Sequence, residues 1–412
     1  MDVTKITFNK TICFINRLFM TVGYPPCEEE NPPTLLRYLI KNLWFFVAYV
    51  WIFSVALAQF LFVATRPFEA NIWEYLVQEV TVGYCTVGLT KMFMLAKRRK
   101  SLSTLLRNFH RIWPNQVKTA VDKEIVESYM HYNTMFAVWF SGLSVIMGYF
   151  WNMIPLGEMM FYKLVYGENI RALPFNIWVP FDEFDTAYPY VYMYLLYSAH
   201  TVVVYHIAFD SLFCISISHL CMHYRLLQEN LKVVVDDPKE DERPSNAHEN
   251  MNRLKSCIEK HQCLTRIRKY IEEIFTDVIF MNFFVSSINI CSVGFLMATN
   301  RGYHAMKFFM LFLCYLVELF LFCWFGQELI DNSSSVAYSA YESSWYSTTQ
   351  KFKKIMILVI HRSQFSEILT ALKFWDISLN TFRKILSASW SYFALLHTAL
   401  AELPYMKREG GI

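Results

Sequence analysis

The feature that most constrains this chain is the separation of its apolar and charged residues along the sequence. Hydrophobic residues make up 55% of the 412 positions and charged residues 18%, whereas an ordinary soluble domain is about a quarter charged. The apolar residues lie in long blocks and most charged residues lie between the blocks. Because a helix of about 20 apolar residues crosses about 30 Å of hydrocarbon, each block is long enough to span a membrane.

Seven blocks meet this requirement, so the sequence predicts an all-α membrane protein with seven transmembrane helices. The seventh block is the weakest, and an amphipathic stretch at 351–368 precedes it. The predicted spans are residues 38–64, 72–96, 128–154, 189–222, 271–299, 304–330 and 375–400.

The distribution of Lys and Arg predicts how these spans are oriented. The connection between spans two and three contains the basic run 97–100, and the connection between spans four and five is similarly rich in Lys and Arg. By contrast, the loop between spans three and four offers only Lys163 and Arg171. Since basic loops stay on the cytoplasmic side, the amino terminus is predicted in the cytoplasm and the carboxyl terminus outside. The first thirty residues contain Pro25, Pro26 and the acidic run 28–30 and lack an apolar core, so no cleaved signal peptide is expected.

Composition and motifs argue against several classes of function. A net charge of +3 is too small to suggest a nucleic-acid-binding protein. The sequence shows no glycine-rich phosphate loop, nucleophile elbow or paired-carboxylate cleft, so an enzyme is not expected and no cofactor is predicted. His219 and His223 have the i, i+4 spacing of zinc ligands. No acid stands where metalloprotease chemistry requires one, so the pair is interpreted as structural or solvated, with no metal.

The carboxyl-terminal third carries a specific resemblance. The run 322–329 reads Phe-Cys-Trp-Phe-Gly-Gln-Glu-Leu, and Ser335-Val336, Ala340-Tyr341 and Trp345-Tyr346 follow it. The final block adds Ser-Leu-Asn-Thr-Phe at 378–382 and Ser-Tyr-Phe at 391–393. Together with Leu-Pro-Phe at 173–175 in the second outer loop, these segments resemble the insect odorant receptor family.

This resemblance implies a ligand-gated cation channel. Family members are tetramers in which the last helix of each subunit lines the pore and cytoplasmic helical segments form an anchor domain. The short connection between spans four and five resembles that of an odorant-tuned subunit. The expected partners are therefore an odorant co-receptor in a heterotetramer, a small volatile odorant and membrane lipid, at the plasma membrane of olfactory sensory neurons. The implied division is a cytoplasmic segment 1–37, helices and pocket 38–330, an anchor region 331–374, and a pore helix with extracellular tail 375–412.

The resemblance also places an odorant pocket among the outer halves of spans two, three, four and six. Side chains at helical spacing on these spans are candidate lining residues, although similar aromatic stripes also form helix-packing cores. The candidates are Tyr75, Gln78 and Val82 in span two; Ser144, Met147, Gly148 and Trp151 in span three; Tyr190, Met193, Tyr194 and Tyr197 in span four; and Phe308, Phe312 and Tyr315 in span six.

A further set of candidate residues lies in the last block. Alignment on the segment 391–393 places the family's hydrophobic gate at Leu395, with Ser391, Thr398 and Ala399 at helical spacing around it. A ring of leucines can close a pore by dewetting, although Leu395 packing on lipid is the alternative.

Ionisable groups inside spans are costly and are therefore functional candidates. These groups are Glu79, Asp210 and Glu318, with Lys91 near the inner end of span two. Pairing away from any permeation route is the alternative reading. For Asp210, a further alternative is a position in a cytoplasmic extension of span four.

Two other receptor classes stay open at this level. A gustatory-type channel keeps the fold, but the last block reads Ser391-Tyr392 and Thr398-Ala399 where gustatory relatives have a Thr-Tyr and Gln-Phe pattern. A seven-span G-protein-coupled receptor requires an outer amino terminus, which is opposite to the predicted orientation.

Overall fold

The computed structural model describes residues 17–21, 35–65, 72–113, 119–182, 184–235 and 245–401. Most of the predicted segment 1–37 and the tail after residue 401 lie outside these ranges. The described helices are α1 (Leu35–Thr65), α2 (Ile72–Lys97), α3 (Arg99–Ile112), α4 (Ala120–Val165), α5 (Tyr188–Lys232), α6 (Ser245–Thr299), α7 (Gly302–Glu342), α8 (Gln350–Ser363) and α9 (Leu379–Ala401), and a hairpin of β1 (Thr370–Ala371) and β2 (Trp375–Asp376) precedes α9.

Local sequence explains where several helices begin. The Thr119 hydroxyl accepts a hydrogen bond from the Asp122 amide at 3.0 Å and so caps α4. The Thr349 hydroxyl accepts from the Phe352 amide at 3.4 Å and caps α8 in the same way. In α5, a proline lies in the first turn, where its missing N–H has no intrahelical partner to lose.

All seven predicted spans coincide with helices, but their ends differ from the prediction. Five of the described helices, α1 and α4 to α7, are long and apolar enough to cross a membrane. Helix α2 carries Glu74, Glu79, Lys91 and Lys97, and α9 begins with a polar turn and carries Arg383 and Lys384. By composition alone, α2 and α9 are therefore less clearly membrane-spanning than the other five helices.

The largest differences from the predicted boundaries lie on the cytoplasmic side, as the distribution of basic residues defines it. Span five was predicted over 271–299, yet α6 begins at Ser245, and α7 continues past the predicted end at 330 to Glu342. The seventh span was predicted from residue 375, but Trp375 lies in β2 and α9 begins at Leu379. Helix α5 has 45 residues and is about 67 Å long, so a bilayer core of about 30 Å covers less than half of it.

The core is built around α5. Its apolar window is wholly buried, and α2, α4, α6 and α7 all pack against it. Phe213 of α5 lies between Phe275 of α6 and Phe322 of α7, with ring centroids 5.3 and 5.0 Å away. A helix that is apolar on every side belongs in the centre of a bundle, and α5 is placed accordingly.

Candidate functional site

A cavity of about 420 Å³ opens among α2, α4, α5 and α7, toward the end of the bundle that carries the 166–187 loop. Its volume lies inside the range of roughly 300–1,000 Å³ typical of small-ligand sites. Helix α1 contributes Ile52, Val55 and Gln59 to its wall, and Phe175 of the loop contributes one aromatic side chain. The wall is mainly apolar, with polar atoms at a few defined places.

The side of the cavity formed by α4 contains the residues that were predicted there. Ser144, Met147, Gly148 and Trp151 all line the cavity, as does Tyr315 of α7. Gly148 is needed for close packing, since a Cβ atom at that position would lie 2.8 Å from Cγ2 of Val203 on α5. A larger residue at 148 would push the α5 wall away from α4.

The predicted residues of α5 do not line the cavity. Tyr190 and Met193 point outward, with 79% and 63% of their surfaces exposed. The Tyr194 hydroxyl lies 2.5 Å from Ser54 Oγ of α1, and the Tyr197 ring packs on Trp51 with centroids 5.1 Å apart. The cavity-facing positions of α5 are smaller side chains, which include Leu195, Ser198, Ala199, Val202 and Val203.

The residues predicted on α2 lie beside the cavity and not in its wall, and the same is true of Phe308 and Phe312 on α7. Tyr75, Gln78 and Val82 are not in its wall, where Val80, Thr81, Tyr84 and Cys85 stand instead. Gln78 Nε2 donates to the Asn176 carbonyl at 2.9 Å and so ties α2 to the outer loop. On α7, Phe308 packs behind Trp151 with ring centroids 6.4 Å apart, and Phe312 approaches Gly294 of α6.

A buried charged cluster forms the floor of the cavity. Lys91 Nζ lies 2.7 Å from Asp210 Oδ1, 3.1 Å from Glu318 Oε1 and 2.9 Å from His206 Nδ1. The other ring nitrogen of His206 lies 3.3 Å from the Tyr84 carbonyl, to which it donates, and the two rings stack 4.1 Å apart. Lys91, His206, Asp210 and Glu318 are called the Lys91 cluster below.

The Lys91 cluster brings three of the ionisable candidates together. Asp210 faces the cavity together with Glu318. Pairing of Lys91 with both acids explains how α2 can carry a lysine through the bundle, since an unpaired buried charge is costly. His206 was not predicted, although its position four residues before Asp210 places both side chains on one face of α5.

The three acceptor groups of this cluster have the composition of a metal site. His206, Asp210 and Glu318 each offer a ligand atom, and these atoms lie within 4.8 Å of one another. Lys91 Nζ lies within 3.1 Å of all three residues and so fills the position that an ion would take. The lysine therefore serves as the built-in cation of this site.

The histidine pair at the cytoplasmic end is packed among aromatic rings. His219 and His223 are buried, and the Trp113 ring stands edge-on to both, at 5.4 and 6.0 Å. Phe109 of α3 approaches His219 at 5.9 Å. This environment is that of a structural contact between α3 and α5.

The last helix presents one covered and one open face. Ser389 Oγ donates to the Ser287 carbonyl of α6 at 3.1 Å, so this face packs against the chain's own bundle. Ser391, Leu395 and Thr398 lie on the other face and are exposed in the single chain, Leu395 by 70%. The side chain of Ala399 lies outside the described residues.

Comparison with known proteins identifies the family. The family model described as 7tm Odorant receptor matches residues 71–390, which is more than half of the 412 positions. The chain belongs to the odorant receptor family. This odorant receptor is 27% identical to putative odorant receptor 92a of Drosophila melanogaster over 406 residues, covering 96% of this chain and 97% of the relative. It is 26% identical to odorant receptor 85c of the same fly, covering 77% and 80%.

The solved structures support the fold independently of sequence. The insect olfactory receptor OR5 from Machilis hrabei in complex with eugenol aligns with a TM-score of 0.82 at 14% identity, covering 96% of this odorant receptor and 99% of that chain. The predicted seven-transmembrane helical fold is thus confirmed. The predicted membership among odorant-tuned receptors is confirmed by the names of the relatives.

Proposed function

We propose that this odorant receptor is a subunit of a ligand-gated, non-selective cation channel that opens when a small volatile molecule enters the cavity. The observation that carries the proposal is the cavity itself. It is apolar, it lies inside a bundle of membrane helices, and α7 contributes residues from Lys307 to Glu318 to its wall. A ligand in the cavity contacts α7, and α7 also touches the last helix, α9.

The cavity supports binding of a small hydrophobic ligand at useful affinity. A ligand the size of one aromatic side chain buries about 150–250 Å². At about 25 cal/mol per Å², that burial contributes roughly 4–6 kcal/mol, which corresponds to a Kd between about 1 mM and tens of μM before any polar contact. The relative from Machilis hrabei was solved with eugenol, which is a ligand of this size class.

The open face of α9 is the proposed pore lining. In a tetramer, the last helices of four subunits place Leu395 in a ring, where an apolar constriction closes the pore by dewetting. The partner subunits are proposed to include the odorant co-receptor, and the site of action to be the plasma membrane of olfactory sensory neurons. The exposure of Ser391, Leu395 and Thr398 in the single chain supports this use of the face.

The proposal is tested by current recording. The receptor is co-expressed with the odorant co-receptor, surface protein is quantified, and a broad volatile panel is applied. We expect an inward cation current for some members of the panel. Surface expression without any evoked current would contradict the proposal, and terminal epitope tags on intact cells would show whether the amino terminus is inside.

The gate assignment has its own test. Leu395→Ala is expected to raise the basal current or to change the evoked current, because it removes the apolar constriction. Leu396→Ala is a matched control, since Leu396 is half-buried on the neighbouring position of the same helix. Equal currents for Leu395→Ala and the unmodified receptor would contradict the assignment.

A further inference from the structure

The side chains in the cavity wall differ in how far they reach the surface of the chain. Those contributed by α1, α2 and α5 are buried or half-buried. The exposed ones are all apolar, lie only on α4 and α7, and have between 37% and 50% of their surfaces exposed. They are Leu143, Phe150, Leu313 and Val317. One side of the cavity therefore reaches the surface of the bundle, between α4 and α7.

Two aromatic contacts join α4 to α7 above and below this side. At the outer end, the Trp151 ring lies 6.4 Å from the Phe308 ring and 4.6 Å from Lys307 Nζ. Toward the cytoplasmic end, the Phe136 and Phe325 rings are 5.2 Å apart. Phe136 and Trp151 are 15 residues apart, or about 22 Å along the helix axis. Between the two contacts, none of the described residues joins α4 to α7 by a ring contact or a hydrogen bond.

The gap between these two contacts is called the side opening below. Its rim residues are Leu143, Phe150, Leu313 and Val317. All four lie inside the predicted spans 128–154 and 304–330, so the side opening lies at the depth of the hydrocarbon. Only 11% of the apolar window of α4 is buried, whereas that of α5 is wholly buried. A rim without polar side chains suits a boundary with acyl chains, because polar groups are costly in hydrocarbon.

The wall at the side opening is only one side chain deep. On α7, Leu313 is exposed, Cys314 is half-buried and Tyr315 is buried, and all three line the cavity. The change from the outer surface to the interior therefore takes two helix positions. A small molecule that passes the rim is already inside the cavity.

The 166–187 loop crosses the outer end of the cavity, and two hydrogen bonds hold it there. The Trp178 amide donates to the Ala58 carbonyl of α1 at 2.9 Å, and Gln78 Nε2 of α2 donates to the Asn176 carbonyl at 2.9 Å. Ile177, which lies between these two attachments, is buried in a small apolar cluster of the bundle. A molecule that enters from water at this end has to pass a loop that is fixed to two helices.

We propose that small hydrophobic molecules reach the cavity from the bilayer, through the side opening between α4 and α7. The inference rests on the proposed function, because it concerns the ligand of the same cavity. Lipid concentrates such molecules, since each methylene raises the concentration in hydrocarbon about fourfold over that in water. The side opening gives this concentrated pool an apolar path into the cavity.

The first test narrows the side opening. Val317→Trp places a large side chain at the rim, where an entering or leaving molecule has to push it aside. The probe is 1-hexanol, applied to the full-length receptor co-expressed with the co-receptor. We expect the onset and the washout of the current each to slow at least about fivefold. The half-maximal concentration is expected to stay within about twofold, because a barrier on the path slows entry and exit equally.

Val138→Trp is the matched control for this test. It makes the same change at an exposed position of α4 that does not line the cavity, so both rates are expected to match those of the unmodified receptor. Unchanged rates in Val317→Trp at normal surface expression would overturn the proposal. A raised half-maximal concentration with an unchanged onset would also overturn it, since the tryptophan would then act by filling the cavity.

The second test compares 1-butanol, 1-hexanol and 1-octanol on the unmodified receptor. The rate constant of current onset, referred to the aqueous concentration, is expected to rise about fifteenfold for every two methylenes, because the bilayer supplies the molecule. Entry from water predicts a rate constant that hardly depends on chain length, since diffusion to an aqueous mouth limits it. A constant value across the series would therefore refute entry from the bilayer.

The third test identifies what faces the side opening and needs no current. Leu143→p-benzoylphenylalanine is irradiated in cells that express the full-length receptor with the co-receptor. We expect adducts with lipid, as for the same replacement at Val138 on the outer surface of α4. A cross-link from position 143 to another receptor subunit would place protein over the side opening and overturn the proposal.

The outcomes separate this inference from the proposed function. Evoked currents whose rates depend neither on Val317→Trp nor on chain length refute entry from the bilayer and leave the channel proposal intact. If the alcohols evoke no current, the volatile that gives the largest current in the panel replaces them, together with its homologues. The absence of current for every volatile, with normal surface expression, refutes the channel proposal itself, and the cross-link at position 143 then decides whether lipid faces the side opening.

Discussion

Replacement of Gly326 by alanine tests how closely the segment before the last helix is held against α7. A Cβ atom at position 326 would lie 2.2 Å from the Ile377 carbonyl oxygen and 2.7 Å from Ile377 Cγ2. Ordinary van der Waals contact begins at 3.4 Å, so the carbonyl must retreat by about 1.2 Å. The Ile377 amide donates to the Leu369 carbonyl at 2.8 Å, and a shift of that size strains this hydrogen bond.

Three contributions set the expected magnitude. Overpacking against a backbone group costs about 1–3 kcal/mol, and loss of the Ile377–Leu369 hydrogen bond costs about 1 kcal/mol more. Alanine in place of glycine inside a helix returns about 1 kcal/mol. The net destabilisation is therefore about 1–3 kcal/mol, which is roughly a 5- to 150-fold change in the equilibrium between native and non-native protein. Packing outweighs helix propensity at this position.

Gly142→Ala is the matched control for this prediction. Gly142 also lies in the interior of a long helix, but a Cβ atom there meets nothing within 4 Å, so we expect no loss and up to about 1 kcal/mol of stabilisation. The assay is thermal stability of the detergent-solubilised receptor by fluorescence-detected gel filtration, together with the surface amount in cells. If Gly326→Ala is as stable as Gly142→Ala, the close approach of Ile377 to α7 is wrong.

Three further predictions concern other parts of the bundle. Glu367 is nearly buried between Arg268 and Arg362, at 3.0 and 2.8 Å, so Glu367→Ala should cost about 1.5–3 kcal/mol and lower the amount of folded protein. Unchanged thermal stability would contradict this, and odorant potency of the surviving protein should stay the same. Lys91→Met should destabilise the receptor by about 3–5 kcal/mol, because it leaves two facing carboxylates without a cation; full surface expression would show that the cluster does not depend on its lysine. Gly148→Ala should weaken the bulkiest ligands most, since its Cβ would lie 2.8 Å from Val203; equal potency shifts for small and large ligands would contradict a role in cavity shape.

The membrane helices could be predicted because their signal is compositional. Each predicted span overlaps a helix, since an apolar block in lipid has to satisfy its backbone hydrogen bonds internally. The cytoplasmic ends could not be placed in this way. Helices α6 and α7 continue through polar sequence where no bilayer limits their length. The amphipathic helix α3, whose Leu102, Leu105 and Phe109 are buried, lies in a stretch whose basic residues predict only a cytoplasmic connection.

The cavity wall could be predicted on α4 but not on α5, for a geometric reason. Helix α4 has a lipid-facing side, so its inward stripe of Ser144, Met147 and Trp151 is distinct. The central part of helix α5 is buried on every side, while its first turns carry Tyr190 and Met193 on an exposed face, so the aromatic residues of α5 do not mark a single inward stripe. Neighbouring positions on a helix are about 100° apart, and the step from Tyr194 to Leu195 exchanges a contact with α1 for the cavity wall.

The placement of α7 makes a direct connection between the cavity and the last helix. Tyr315 and Glu318 line the cavity, and Phe320, two residues further along, packs edge-on against Phe382 of α9 with ring centroids 5.6 Å apart. Six residues beyond Phe320, Gly326 contacts the segment that leads into α9. A rigid helix that touches a ligand at one point, α9 at a second and the segment before α9 at a third would transmit a tilt from the cavity to the last helix under the proposed function. Coupling of this kind requires α7 to move as one body, and the absence of a side chain at Gly326 is what lets its far end lie against the segment that leads into α9.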